Sequence, residues 1–91
     1  MDDQEKAMFD NADKFIDLAN EMAKTVSQGE IGVALRYAAA RYSAFEASTR
    51  ANNLAEEKDA HLQFFVDTFT EMLQRNLDEY IEILARRGPS M

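Results

Sequence analysis

Apolar side chains recur at spacings of three and four along nearly the whole chain, which is the period of a helix face and not the alternation of a strand. From about residue 4 to residue 26 they fall at Met8, Phe9, Ala12, Phe15, Ile16, Ala19, Met22, Ala23 and Val26. Asp10, Asp13, Lys14, Asp17, Glu21 and Lys24 take the opposite face, and Leu18 stands off the stripe. Asp2 and Glu5 have capping-box spacing, and acids in the first turn suit the positive end of the helix dipole. This is the first predicted helix.

Ser27-Gln28-Gly29-Glu30 interrupts the pattern. Ser27 and Glu30 are spaced as a second capping box, with Val26 and Ile31 at the two positions of a hydrophobic staple. Alternatively, Gly29 is the left-handed residue that ends the first helix. Either way the turn is short, and the second helix, about 30–51, should run back antiparallel to the first. Its stripe is Ile31, Ala34, Leu35, Ala38, Tyr42, Phe45 and Thr49. Val33, Ala40, Ala44 and Ala47 land on the other side, so this helix is expected to bury two faces between neighbours.

Asn52-Asn53 marks the next boundary, with Asn53 and Glu56 at cap and N3 positions. The third helix, about 54–87, carries Leu62, Phe65, Val66, Phe69, Met72, Leu73, Leu77, Tyr80, Ile81, Ile83 and Leu84. Arg86 and Arg87 suit the negative end of its dipole, and Gly88-Pro89 is its expected stop. At 1.5 Å per residue this helix reaches roughly 50 Å against about 33 Å for the others. Its last turns therefore outrun any antiparallel neighbour within the chain. Leu77, Tyr80, Ile81 and Leu84, left over at that end, are the expected oligomer contact.

Size and composition sharpen this expectation. A single domain of 91 residues is hard to stabilise alone, and the absence of cysteine removes both disulfides and thiolate chemistry. Self-association remains as the remedy. The net charge of −7 has the wrong sign for a phosphate backbone or an anionic membrane surface, so neither nucleic acid nor membrane is an expected partner. The charge is uneven: residues 1–29 hold seven acids and three bases, 30–53 two and three, and 54–91 eight and four. The opening Met1-Asp2-Asp3-Gln4-Glu5 lacks the basic and apolar regions of a signal peptide, and no apolar run approaches a membrane span. A cytoplasmic location is expected.

Candidate chemistry is thin. His61 is the one histidine, with Glu57 a turn earlier on its face. That pair can hydrogen-bond or offer two metal ligands, but zinc and di-iron sites need three or four, and Glu-x-x-His is absent. No Gly-x-Ser-x-Gly elbow or phosphate loop occurs, and neighbouring acids such as Glu56-Glu57 diverge by ~100° around a helix. Neither catalytic residue, cofactor nor metal is assigned. Arg41, beside the Ala38/Tyr42/Phe45 stripe, is expected to clamp the bundle through a carboxylate of the first or third helix. Arg36, Tyr37, Arg41 and Tyr42 are otherwise a candidate ligand surface. Asn76, inside the third stripe, reads as a polar residue that sets register.

The run from Tyr37 to Phe45 (YAAARYSAF) carries a resemblance, together with Phe15–Asn20 before it and Phe65-Val66, Met72-Leu73 and Asn76–Ile81 after it. It resembles a small uncharacterised bacterial family, domain of unknown function 3144, over about Phe9 to Ile81. The resemblance implies a compact helical bacterial protein and brings no catalytic residues with it. The fold expected is all-α: one domain, residues 1–91, forming a three-helix antiparallel bundle unit with a long third helix. That unit is expected to pair with itself as a homodimer or higher even-numbered oligomer, with another protein as the remaining partner class. The expected function is non-enzymatic helical interaction or oligomerisation. The alternative is a small regulatory or ligand-sensing protein using the Arg/Tyr surface.

Overall fold

Three α-helices and no strand make up residues 2–87, the part of the chain that the structure, a computed structural model, describes. They are α1 (Asp3–Met22), α2 (Gln28–Arg50) and α3 (Leu54–Arg86). The Gly88-Pro89 stop and Ser90 lie outside the described residues. The chain divides into two units, Met1–Ala44 and Phe45–Met91, with the division inside the continuous helix α2.

Each helix begins where a side chain takes over an orphaned backbone amide. Asp2 Oδ1 accepts from the N–H of Glu5 at 2.7 Å, Ser27 Oγ from Glu30 at 3.3 Å, and Asn53 Oδ1 from Glu56 at 3.2 Å. Ser27 is thus the cap of α2, and Gly29 falls within its first turn instead of ending α1. The first helix stops four residues earlier than its apolar stripe suggests. The N–H groups of Lys24 and Thr25 turn to carbonyls three residues back, at 3.3 and 3.0 Å, which tightens the chain into the turn that leads to Ser27. Val26 continues the stripe in sequence, but its place is just before the cap, where it and Ile31 are both half-buried as a staple requires.

Burial is sparse in both units. In the first, Ala19, Met22, Val26, Ile31 and Gly32 are partly covered, and all flank the turn. Phe15 and Ile16, in mid-stripe on α1, remain 64% and 50% exposed. An antiparallel pairing of α1 with α2 along their length would have covered them. In the second unit, Glu46, Ala47 and Ala51 near the end of α2 and Glu57, His61, Phe65 and Thr68 on α3 are covered. Their spacings of three, four and five define one strip on each helix, meeting at the corner. Ala47, 4% exposed, is the single buried residue among those described.

Ala47 belongs to the alanine side of α2, so the expected second buried face exists at that end alone. Val33, Ala40 and Ala44 stay exposed, as do Tyr42 and Phe45 of the main stripe. The helices and their order match the sequence pattern; the stripes are drawn as expected but left open.

Two glycines weaken the start of α2, since glycine costs a helix interior about 1 kcal/mol relative to alanine. A Cβ on Gly29 would meet nothing within 4 Å, and one on Gly32 would lie 3.2 Å from Nη1 of Arg36, the movable end of a long side chain. Gly32→Ala should therefore stabilise the protein by about 0.5–1 kcal/mol and Gly29→Ala, nearer the helix end, by somewhat less. Urea denaturation measures both; a loss of stability in Gly32→Ala would mean that the Arg36 guanidinium is fixed over the glycine.

Candidate functional site

Three places hold the residues that chemistry or contact would use. The first is the outer surface of α2. Arg36, Tyr37, Arg41 and Tyr42 are all exposed. Helical geometry puts Tyr37 and Arg41, one turn apart, on the same side, whereas Arg36 and Tyr42 lie about 120° from each other around the axis. The four do not converge on one point. The Arg36 guanidinium lies back toward Gly32. Arg41 makes no ion pair among the described residues, so the single chain has no clamp from this side chain to α1 or α3.

The second place is the α2–α3 corner, and it is the most organised polar structure in the protein. Glu57 Oε2 accepts from the backbone N–H of Asn52 at 2.9 Å and of Asn53 at 2.8 Å. Its Oε1 is 3.2 Å from Nε2 of His61. One carboxylate therefore closes the turn before α3 and holds the histidine a turn further on. The sequence pattern placed Glu56 as the partner of the Asn53 cap, but only its N–H takes part. Glu57 does the reaching back, from one position further into the helix. The Glu57–His61 spacing was visible in the sequence; the two backbone amides depend on the turn's conformation and were not.

The Glu57 carboxyl is held below its ordinary value, chiefly by the Asn53 N–H. His61 and the Asn52 N–H act in the same direction, against a desolvation that raises it. Side-chain exposures of 26% for His61 and 36% for Glu57 leave the pair in contact with water. Among the described residues, no three His, Cys, Asp or Glu side chains stand together as a metal site, and no polar or charged residue is buried. The corner's evident role is to fix a turn.

The third place is the C-terminal half of α3. Leu77, Tyr80, Ile81 and Leu84 are 53–63% exposed and continue a stripe through Phe69, Met72 and Leu73, which are exposed as well. Asn76, in the middle of this stripe, donates through Nδ2 to the Met72 carbonyl at 2.8 Å. Its Oδ1 is the acceptor that remains for a neighbour.

The corner gives a prediction with a definite sign. A carboxyl whose folded value is depressed contributes stability that is complete above its unfolded value and is lost as pH falls through the folded one. The thermal midpoint should therefore fall with acid below the ordinary glutamate range, and Glu57→Ala should lower the midpoint at neutral pH while flattening that part of the profile. Asn53→Ala should cost about 1 kcal/mol through the lost cap. If Glu57→Ala kept the parent's full acid profile, the carboxylate would not be what holds the corner.

No curated protein and no solved structure matches the chain. Residues 8–81 match the family described as Protein of unknown function (DUF3144), nearly the same span as the motifs running from Phe9 to Ile81. With helices of these lengths and most of the chain inside the match, the protein belongs to the DUF3144 family.

Proposed function

We propose that this chain is a non-enzymatic helical assembly protein whose apolar helix faces are covered by further copies of itself, in a homodimer or a higher even-numbered oligomer. The observation that carries this reading is the mismatch between pattern and burial. All three helices bear apolar stripes, and Ala47 is the one residue buried among those described. Folded chains in water rarely leave contiguous apolar patches larger than a few hundred Å² without a partner. Covering such a patch contributes several kcal/mol at ~25 cal/mol per Å², before the costs of association.

Within the assembly, the expected antiparallel bundle packs stripe against stripe. Helix α3 has 33 residues against 23 for α2, so its last turns extend past an antiparallel neighbour. Leu77, Tyr80, Ile81 and Leu84 are then the contact between copies. The stripe is wider than a two-stranded seam, because Met72 and Leu77 flank Leu73 and Asn76 on both sides. That width suits the interior of a bundle of several helices. A ligand-sensing surface on α2 has narrower support: Tyr37 and Arg41 share a side, but Arg36 and Tyr42 diverge from it.

Replacing Ile81 and Leu84 together by Glu tests the assignment. The new charges would have to be desolvated by the partner, at several kcal/mol per contact. The double variant should sediment as monomer at a concentration where the parent is dimeric or larger. A parent that itself sediments as a well-folded 10.4 kDa monomer would overturn the reading.

A further inference from the structure

We infer that the chain has no folded monomer, and that a second copy of itself supplies the missing half of its core, so folding and pairing are a single step. This rests on the homo-oligomer reading above and deepens it. The argument begins with area. A folded monomer of 10.4 kDa should expose about 5,400 Å² by the scaling of surface with mass. This chain exposes 8357 Å². The excess is of the order of 2,000–3,000 Å². An ordinary interface covers ~800 Å² per partner, and only obligate complexes cover as much as this. Neither unit holds a core to fall back on: the first has no buried residue among those described, and the second has Ala47.

Charge identifies the occupant. Helix α1 carries six acids and two bases, and α3 eight acids and three bases, whereas α2 carries two acids and three bases. Of the α2 bases, Arg50 lies 3.9 Å from Glu46. Arg36 and Arg41 are exposed and make no ion pair among the described residues. What this face lacks is an acidic helix with an open apolar stripe, and a second copy brings two of them. A basic foreign partner would satisfy α1 and α3 but repel α2. An acidic one would satisfy α2 and repel the two arms. The chain is complementary to itself in both respects.

The experiment is thermal unfolding of the full chain, followed by helical circular dichroism over a hundred-fold range of concentration, with sedimentation velocity at each concentration. Coupled folding and pairing lowers the midpoint by about 5–10 °C per hundred-fold dilution for two chains of 91 residues. Helix signal and dimer mass should disappear together. Arg36→Glu with Arg41→Glu should lower the midpoint further, with partial recovery in high salt; a midpoint equal to the parent's would remove the charge argument for a second copy. Dimers that dissociate into helical, cooperatively unfolding monomers would overturn coupled folding while leaving the homo-oligomer reading intact. A concentration-independent folded monomer would overturn both. A purified chain that stays unfolded at every concentration would assign the missing core to a different protein and overturn the inference.

Discussion

Every other feature of this protein depends on a shortage of intramolecular burial. Ordering a residue costs roughly 1–2 kcal/mol of backbone entropy, and apolar burial is the main term that offsets it. Here the large apolar side chains are in place, at helical spacing, but the described residues close around a single alanine. Helices of 20 and 23 residues with polar, charged outer faces are marginal in water by themselves. Their persistence requires that the stripes be covered. The proposed assembly supplies that cover and explains why a chain with good helix-forming composition carries an apolar stripe on every helix and no core of its own.

Local polar contacts act at a different level. They decide where each helix begins and how the chain turns, with little dependence on the stripes. Asp2, Ser27 and Asn53 each satisfy an amide of the first helical turn, and Glu57 satisfies the two amides before α3. Such contacts fix direction without supplying a core. Surface pairs such as Lys6–Asp10 add a few tenths of a kcal/mol at most. A chain built this way has well-defined elements and corners before its stripes find partners. That is the condition under which association can select one arrangement instead of a loose apolar collapse.

This division also explains what could be read from the sequence. Periodicity and caps are local, so the three helices, the Ser27 and Asn53 boundaries and the Glu57–His61 pair were legible. The end of α1 was misjudged because Val26 fits both the stripe and the staple, and only the turn's hydrogen bonds separate the two. The two amides held by Glu57 depend on backbone conformation at Asn52-Asn53, which residue spacing does not encode. Arg41 was harder still. An arginine beside an apolar stripe signals a partner carboxylate, but the sequence does not say whether that carboxylate lies in the same chain. The structure leaves Arg41 exposed and outside any ion pair among the described residues. A pattern of apolar positions states that a face is to be buried, not by which molecule.

Asn76 brings these levels together. An amide within an apolar stripe is costly unless its polar atoms find partners. Its Nδ2 already uses the Met72 carbonyl, which keeps the side chain against its own helix and leaves Oδ1 as the remaining acceptor. In a bundle made from copies of α3, stripes of Phe, Met, Leu, Tyr and Ile would slide past one another by a turn at little cost. A single polar position removes that freedom, because any register that leaves the amide oxygen against hydrocarbon is penalised while one that provides a donor is not. Residues that look out of place in the isolated chain, Asn76 in a stripe and Arg41 beside one, are therefore the ones that distinguish a specific assembly from general adhesion. Their polar groups acquire meaning only when a partner with matching groups covers the faces around them.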